Sequence, residues 1–379
     1  MKKLSKFIPV NRPLIGKEEL LNVKKCLKTG WISSSGKYIK EFELSFANYV
    51  NRKYAVAVSS GTGAIDIAVK SLELKKGDEI IVPNFTIISS VNEIIRQGLK
   101  PIFIDANVND FNIDVNLIEK KISKRTKAIM VVHIYGLPSN LDTILKLAKK
   151  YKLKIIEDSA EQLGQKYKKK MIGSFGDIST FSFFANKHIT TGEGGMLATN
   201  NFNLYKKFLK LRNICFELNI PRFIHFEIGW NYRMTNMQAA IGLAQLKKIN
   251  FFLKKKRKIG EIYNKHLREL NEITLLPEKN EFAKNIYWVF PILIKKKFNS
   301  VSFSKKLSKC NIETRPFFFP MHKQPIVKKL KLINKKEKFP VSEMLYKYGL
   351  YLPSGIGNSY KEINYVIKTI KHMLKSQHS

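Results

Sequence analysis

The chain predicts an α/β fold, a mostly parallel sheet covered by helices on both faces, followed by a smaller α+β region. Three observations carry this. Short apolar runs alternate with helical patterns through the first half, and strands separated by helices at this spacing pair in parallel. Polar residues gather at the carboxyl ends of the runs, where such sheets bind ligands: Ser60-Gly61-Thr62, residues 83–86, His133 and Asp158. The pattern then changes at a long basic segment, 247–270, that reads as one amphipathic helix. We place the boundary there, with a large domain at 1–245 and a small C-terminal domain at 246–379. No Gly/Ser linker joins the two, so they are expected to pack firmly.

The elements follow in order. Residues 54–58 read as a strand and 64–72 as a helix with Ile65, Ala68 and Val69 on one face. A strand at 79–83 precedes a helix at 87–97. Further strands are expected at 101–104, 128–132 and 154–157, with helices near 115–122 and 141–151. Beyond the basic helix, 287–294 reads as a strand.

At 379 residues the chain suits two or three domains, or one large α/β domain with an appendage, and a hydrophobic fraction of 44% is ordinary for a globular protein. No apolar run reaches the roughly 18 residues of a spanning helix. The basic start is followed by Asn11, Arg12 and Pro13 rather than an apolar core, so no signal peptide or membrane association is expected, and the location expected is cytoplasmic. The net charge of +38 is mostly lysine scattered over 168–170, 254–256, 295–297 and 335–336, without a helix-turn-helix, zinc-finger or aromatic RNA-binding signature. Nucleic acid is therefore not an expected partner, whereas the field favours an anionic small molecule. Cys26, Cys215 and Cys310 are isolated, form no metal-ligand spacing and read as reduced thiols, so no metal is expected.

Lys187 is the candidate catalytic residue. It follows the apolar run 181–184 and precedes the polar turn Thr190-Thr191-Gly192-Glu193-Gly194-Gly195. A lysine held at the mouth of a strand by a tight turn can present its amine to an aldehyde carbon in one geometry, as a Schiff-base lysine must. Most lysines here are solvated surface charges, but this one has uncharged neighbours. Asp158, at the end of a strand, can pair with a protonated ring nitrogen such as that of pyridoxal phosphate, or simply cap a helix. Ser60-Gly61-Thr62-Gly63 opens a helix after a strand, which makes either a phosphate cradle or an ordinary cap. Ser182, five residues before Lys187, adds a hydroxyl to that phosphate or is a satisfied strand serine.

Several of these segments recur together. Ser59-Ser60-Gly61-Thr62, the run 77–83, Glu157-Asp158-Ser159-Ala160-Glu161, Gly173-Ser174-Phe175-Gly176-Asp177, Asn186-Lys187 with Gly192-Glu193-Gly194-Gly195, and the stretch 231–236 are found in this order in the nucleotide-sugar aminotransferases, which the chain resembles over nearly its whole length. The resemblance implies an aspartate-aminotransferase-like fold (pyridoxal-phosphate fold type I), with pyridoxal 5'-phosphate as cofactor. It also implies a nucleotide-sugar substrate, L-glutamate as amino donor, and a homodimer or a dimer of dimers. It further implies roles. Lys187 links to the cofactor and shuttles the proton. Asp158 holds the pyridine nitrogen. Gly61, Thr62 and Ser182 hold the phosphate, with Asn231 reaching in from the other subunit. Glu161 lies near the cofactor hydroxyl and the sugar, and Arg315 and His322 lie near the sugar-nucleotide. Arg315 as a surface ion-pair partner and His322 as an uninvolved loop residue are the plain alternatives.

The position after Thr86 often carries an aromatic ring in this family; here it is Ile87, with Phe85 two residues earlier, and the ring-stacking residue stays unassigned. Through Gly30-Trp31-Ile32-Ser33-Ser34 and Glu313-Thr314-Arg315-Pro316 the resemblance further implies a GDP-linked 4-keto-6-deoxy sugar, aminated at C4, as substrate, with UDP- and dTDP-linked sugars as alternatives. Two further readings are a sugar 3-dehydratase, whose relatives replace the lysine by histidine, and a non-catalytic regulator, which has no need of Lys187, Asp158 and the cradle together.

Overall fold

The computed structural model describes residues 6–375 except 218–219, 222, 296–298 and 335. The basic stretch 1–5 and Lys296, Lys297 and Lys335 of the charge runs lie outside the described residues. Two helices, α1 (Lys17–Thr29) and α2 (Lys37–Tyr49), precede the sheet. The large sheet is built from β1 (Tyr54–Val58), β2 (Glu79–Pro83), β3 (Lys100–Ile104), β4 (Thr126–Val132), β5 (Lys154–Asp158), β8 (Ile178–Ser182) and β9 (Gly195–Thr199). A small hairpin, β6 (Lys166–Tyr167) and β7 (Lys170–Met171), intervenes. The strand order is β1-β9-β8-β5-β4-β2-β3, and only β9 runs against the others. This is the mostly parallel sheet expected.

Strand side chains alternate between two apolar layers. Val56, Val58, Ile80, Val82, Met130 and Val132 pack on one face. Ala55, Ala57, Ile81, Ile129 and Val131 pack on the other. The connecting helices are α3 (Gly61–Ser71), α4 (Ser89–Arg96) and α5 (Leu141–Tyr151), with α6 (Phe202–Arg212) after β9. Helix starts are chemically marked: the Ser60 hydroxyl accepts from the Gly63 amide and Asn140 accepts from Thr143.

After α7 (Asn236–Lys247) and α8 (Ile249–Leu267) comes a four-stranded antiparallel sheet, ordered β10 (Ile273–Leu275), β11 (Phe290–Ile294), β13 (Gly349–Leu352) and β12 (Arg315–Pro316). Helices α9 (Ser300–Ser308), α10 (Pro325–Lys329), α11 (Pro340–Tyr348) and α12 (Tyr360–Lys375) complete this part. Asp105, just past β3, accepts the amides of Val341 and Ser342 and so docks α11 onto the large sheet. Among the described residues, no helix is long and apolar enough to cross a membrane. Cys26, Cys215 and Cys310 are free thiols.

Several expectations need correction. The helix expected at 115–122 is a pair of single 3-10 turns, Val115–Leu117 and Glu119–Lys121. Asp114 caps the first, and Ile118 alone of this stretch is fully buried. The basic helix expected at 247–270 is the end of α7 plus α8, broken at Lys248, whose ψ of 4° is not helical. The strand expected at 287–294 begins only at Phe290. Tyr287 has φ 52°, which no strand residue adopts, and its amide bonds the Asn285 side chain instead of a ladder.

Candidate active site

A cavity of about 410 Å³ opens at the carboxyl ends of β4, β5 and β8, walled on its far side by residues of the smaller sheet. Lys187 reaches it from the loop between β8 and β9. The strand itself stops at Ser182, whose hydroxyl accepts from the Phe184 amide, so Lys187 stands five residues beyond the strand mouth rather than on it. The loop is held by Lys187 N–H to Phe184 carbonyl (2.9 Å) and by the Trp288 indole N–H to the Asn186 carbonyl (2.9 Å). The amine lies 3.9 Å from the centroid of the Trp288 ring.

Asp158 ends β5 and is almost fully buried. It caps no helix; one oxygen takes the Ala160 amide at 3.1 Å, a tight local turn. Burial pushes its carboxyl up, against the pull of the Ala160 amide and the charge of Lys187. Glu161 accepts the Tyr135 amide at 2.8 Å, at a residue whose φ of 61° is left-handed. Burial pushes Glu161 up to about 8, opposed by Lys187 and reinforced by Asp158. The same burial pushes the Lys187 amine down, opposed by the two carboxylates.

The opposite wall is the start of α3. Gly61, Thr62 and Ser182 all line the cavity. A Cβ on Gly61 would sit 2.7 Å from the Ser182 Cβ, so only glycine lets the helix start approach β8 this closely. The Thr62 hydroxyl shares a hydrogen bond with Ser89 (3.0 Å) at the start of α4. Sequence reasoning missed Thr180, Trp288, Phe318 and Tyr351, all on the cavity wall. Thr180 is the direct neighbour of Asp158 across the ladder, and its buried hydroxyl has no hydrogen-bond partner among the described residues. It faces the same side as Ser182, so the two-residue strand period was a usable signal. Trp288, Phe318 and Tyr351 arrive from distant segments and had no local signal.

Of the ring-stacking candidates, Ile87 lines the cavity, whereas Phe85 is fully buried against Tyr135, Phe317 and Phe318. His133 belongs to the core, where it accepts the Ser139 amide and faces Glu157. The structure does not bring Asn231, Arg315 or His322 to this wall. Asn231 bridges Asn213 on the surface. Arg315 is exposed and pairs with Glu313 at 2.7 Å, although its register partner across the ladder is the cavity residue Tyr351. His322 is clamped between Asn84 and Glu343 and stacked on Phe339. Burial pushes its imidazole down.

Residues 13–371 match the model of the DegT/DnrJ/EryC1/StrS aminotransferase family. The chain is 42% identical to the GDP-perosamine synthase of Escherichia coli O157:H7, over 96% of this chain and 98% of that one. Among solved structures it is similar to PseC of Helicobacter pylori, an aminotransferase of pseudoaminic acid biosynthesis (TM-score 0.92, 27% identity, 98% of this chain and 100% of that one). It is also similar to the GDP-4-keto-6-deoxy-D-mannose-3-dehydratase of E. coli with bound hydrated PLP (TM-score 0.88, 28% identity, 96% and 98%). With a matching model over nearly its whole length, and a cavity lined by a lysine, a buried aspartate and a helix start, the chain belongs to the DegT/DnrJ/EryC1/StrS aminotransferase family.

Proposed function

We propose that the protein is a pyridoxal 5'-phosphate-dependent aminotransferase. It uses L-glutamate to convert the C4 ketone of GDP-4-keto-6-deoxymannose to the amine of GDP-perosamine. The observation that carries the class is the convergence of Lys187, Asp158 and the α3 start on one cavity. The cofactor fits the residues present. Gly61 lets the start of α3 approach Ser182 closely, with Thr62 and Ser182 beside it on the cavity wall, and the Thr180 hydroxyl next to Asp158 lacks a polar partner among the described residues. GDP as the nucleotide is supported by the 42% identity to GDP-perosamine synthase.

When bound, pyridoxal 5'-phosphate supplies an aldehyde that takes up the donor's amino group and a cationic ring that withdraws electrons from the reacting carbon. Asp158 would keep the ring nitrogen protonated, and the α3 start with Thr62 and Ser182 would hold the phosphate. Lys187 would hold the cofactor and move the proton to and from the reacting carbon. Burial lowers the proton affinity of its amine, against the pull of Glu161 and Asp158, which favours its giving up and taking back a proton. Glu161, beside Lys187, accepts a hydrogen bond from the sugar or donates one, according to its protonation. Arg315, exposed and one strand from the cavity residue Tyr351, would exchange its Glu313 partner for the diphosphate, whereas His322, held by Asn84 and Glu343, takes no role here. Asn231, exposed away from its own cavity, serves the phosphate of a partner subunit in a homodimer.

The dehydratase reading needs histidine in place of Lys187. Here the lysine lines the cavity, and the neighbouring His188 is buried outside its wall. The deciding experiment incubates the enzyme and glutamate with GDP-, UDP- and dTDP-linked 4-keto-6-deoxy sugars. Amination of the GDP sugar alone supports the assignment. Turnover only of a UDP or dTDP sugar sinks GDP and keeps the class. Loss of the C3 oxygen without amination sinks the class.

A further inference from the structure

α8 carries a lysine on its buried face. Lys256 is 3% exposed and flanked on that face by Phe252, Leu253, Ile259 and Gly260. Among the described residues it forms no ion pair with a carboxylate, and burial alone pushes its amine down to about 7. A buried cation without a counter-charge is costly, so its retention asks for a reason. Its hydrogen bonds supply one. The Nζ donates to the Trp288 carbonyl at 2.8 Å and to the Ser354 carbonyl. Trp288 lies in the irregular stretch before β11, outside any ladder, between the Ile286 amide on the Gly136 carbonyl and the Val289 amide on the Tyr135 carbonyl. It is tied at two points: its carbonyl to Lys256 and its indole N–H to the Asn186 carbonyl, next to Lys187. Its ring face lies 3.9 Å from the Lys187 amine.

We propose that Lys256 is a positioning residue for the reaction, holding Trp288 by its main chain so that the indole face seats the Lys187 amine. An aliphatic residue at 256 would leave two buried carbonyls without a donor and release the Trp288 backbone. The ring's negative face stabilises the charged amine, so losing its placement makes Lys187 easier to deprotonate. Glu161 and Asp158 also face that amine and act in the same sense as the ring, but neither touches Lys256. The inference rests on Lys187 being the reacting amine.

The test reads the amine directly. In the cofactor-free full-length protein, the acylation rate of Lys187 by acetic anhydride is followed against pH by mass spectrometry. Trp288→Leu is expected to lower the titration midpoint by about half to one and a half pH units. Lys256→Met is expected to lower it in the same direction by no more, and the double variant to match Trp288→Leu alone. In the holoenzyme Lys256→Met is expected to cut kcat about tenfold while leaving KM for glutamate within about twofold. A lysine acting only as a nearby charge has the opposite sign, because removing it relieves repulsion and raises the Lys187 midpoint. An unchanged or raised midpoint in Lys256→Met, or additive effects in the double variant, overturns the proposal. Where circular dichroism finds Lys256→Met unfolded, Lys256→Gln replaces it; its shorter amide can reach at most one of the two carbonyls, so a smaller lowering is expected, and an unchanged or raised midpoint overturns the proposal. Because labelling needs no turnover, failure here is separable from failure of the aminotransferase reading.

Discussion

Burial acts in opposite directions on the two kinds of charge that meet around Lys187: it raises the carboxyls of Asp158 and Glu161 and lowers the amine. Glu161 gives this a measurable sign. Burial pushes its folded carboxyl up to about 8, well above an ordinary glutamate. Between those values the folded state keeps a proton that the unfolded chain has released, so stability falls as pH rises through the window. Glu161→Gln removes the dependence. Denaturation of the cofactor-free protein should find the variant gaining on wild type between about pH 5 and pH 8, on the order of a few kcal/mol. A constant difference across that range would put the carboxyl at an ordinary value. Lys187→Ala should abolish transamination yet still bind the cofactor through phosphate and ring contacts, and borohydride should fix the cofactor to Lys187 in wild type only. Asp158→Asn should leave the fold intact and slow turnover by about a hundredfold or more, because the ring then withdraws electrons poorly. Lys187 and Asp158 were legible in the sequence because their surroundings are local, a turn after a strand and a strand end. Trp288 and Tyr351 were not, because only the tertiary fold brings the small sheet against β5 and β8.

At the scale of elements, the proposed phosphate cradle depends on contact between the first turn of α3 and the end of β8. Gly61→Ala would drive its Cβ into Ser182. The expected result is cofactor affinity reduced about tenfold or more with most of the stability retained, read by cofactor titration and thermal melting. Unchanged affinity would mean that the phosphate sits elsewhere. The strand–helix alternation of the large sheet was readable because each buried strand is a short apolar run between polar turns. The failures have physical causes of their own. Residues 115–122 carry helix-like composition but bury only Ile118 fully, too little to hold a helix. The break at Lys248 was hidden because the basic residues on both sides continue the same composition. Lys256, read as one more solvated lysine of a basic helix, is instead on the buried face.

For the molecule as a whole, the open question is whether one chain makes a complete site. Asn231 lies outside the cavity of its own chain, close in sequence to Ile224, Phe226 and Ile228, which are exposed. A cluster of that kind is what a subunit interface covers. Its loop is nonetheless firmly built: the Tyr232 carbonyl accepts the Ser59 amide, and the Tyr232 hydroxyl donates to Asp66 on α3 at 3.0 Å. A rigid loop carrying an unused asparagine beside exposed apolar residues suits delivery into a neighbour's site. Subunit mixing tests this. Lys187→Ala is expected to be inactive, and Asn231→Ala to bind the cofactor weakly. In a hybrid dimer, one site receives Lys187 from one subunit and Asn231 from the other and is therefore intact, while the second site lacks both. Statistical remixing of the two variants should then restore about a quarter of the wild-type sites, as two-fold symmetry requires. If mixing restores nothing beyond the average of the parents, each chain makes its own site and Asn231 has no role across an interface.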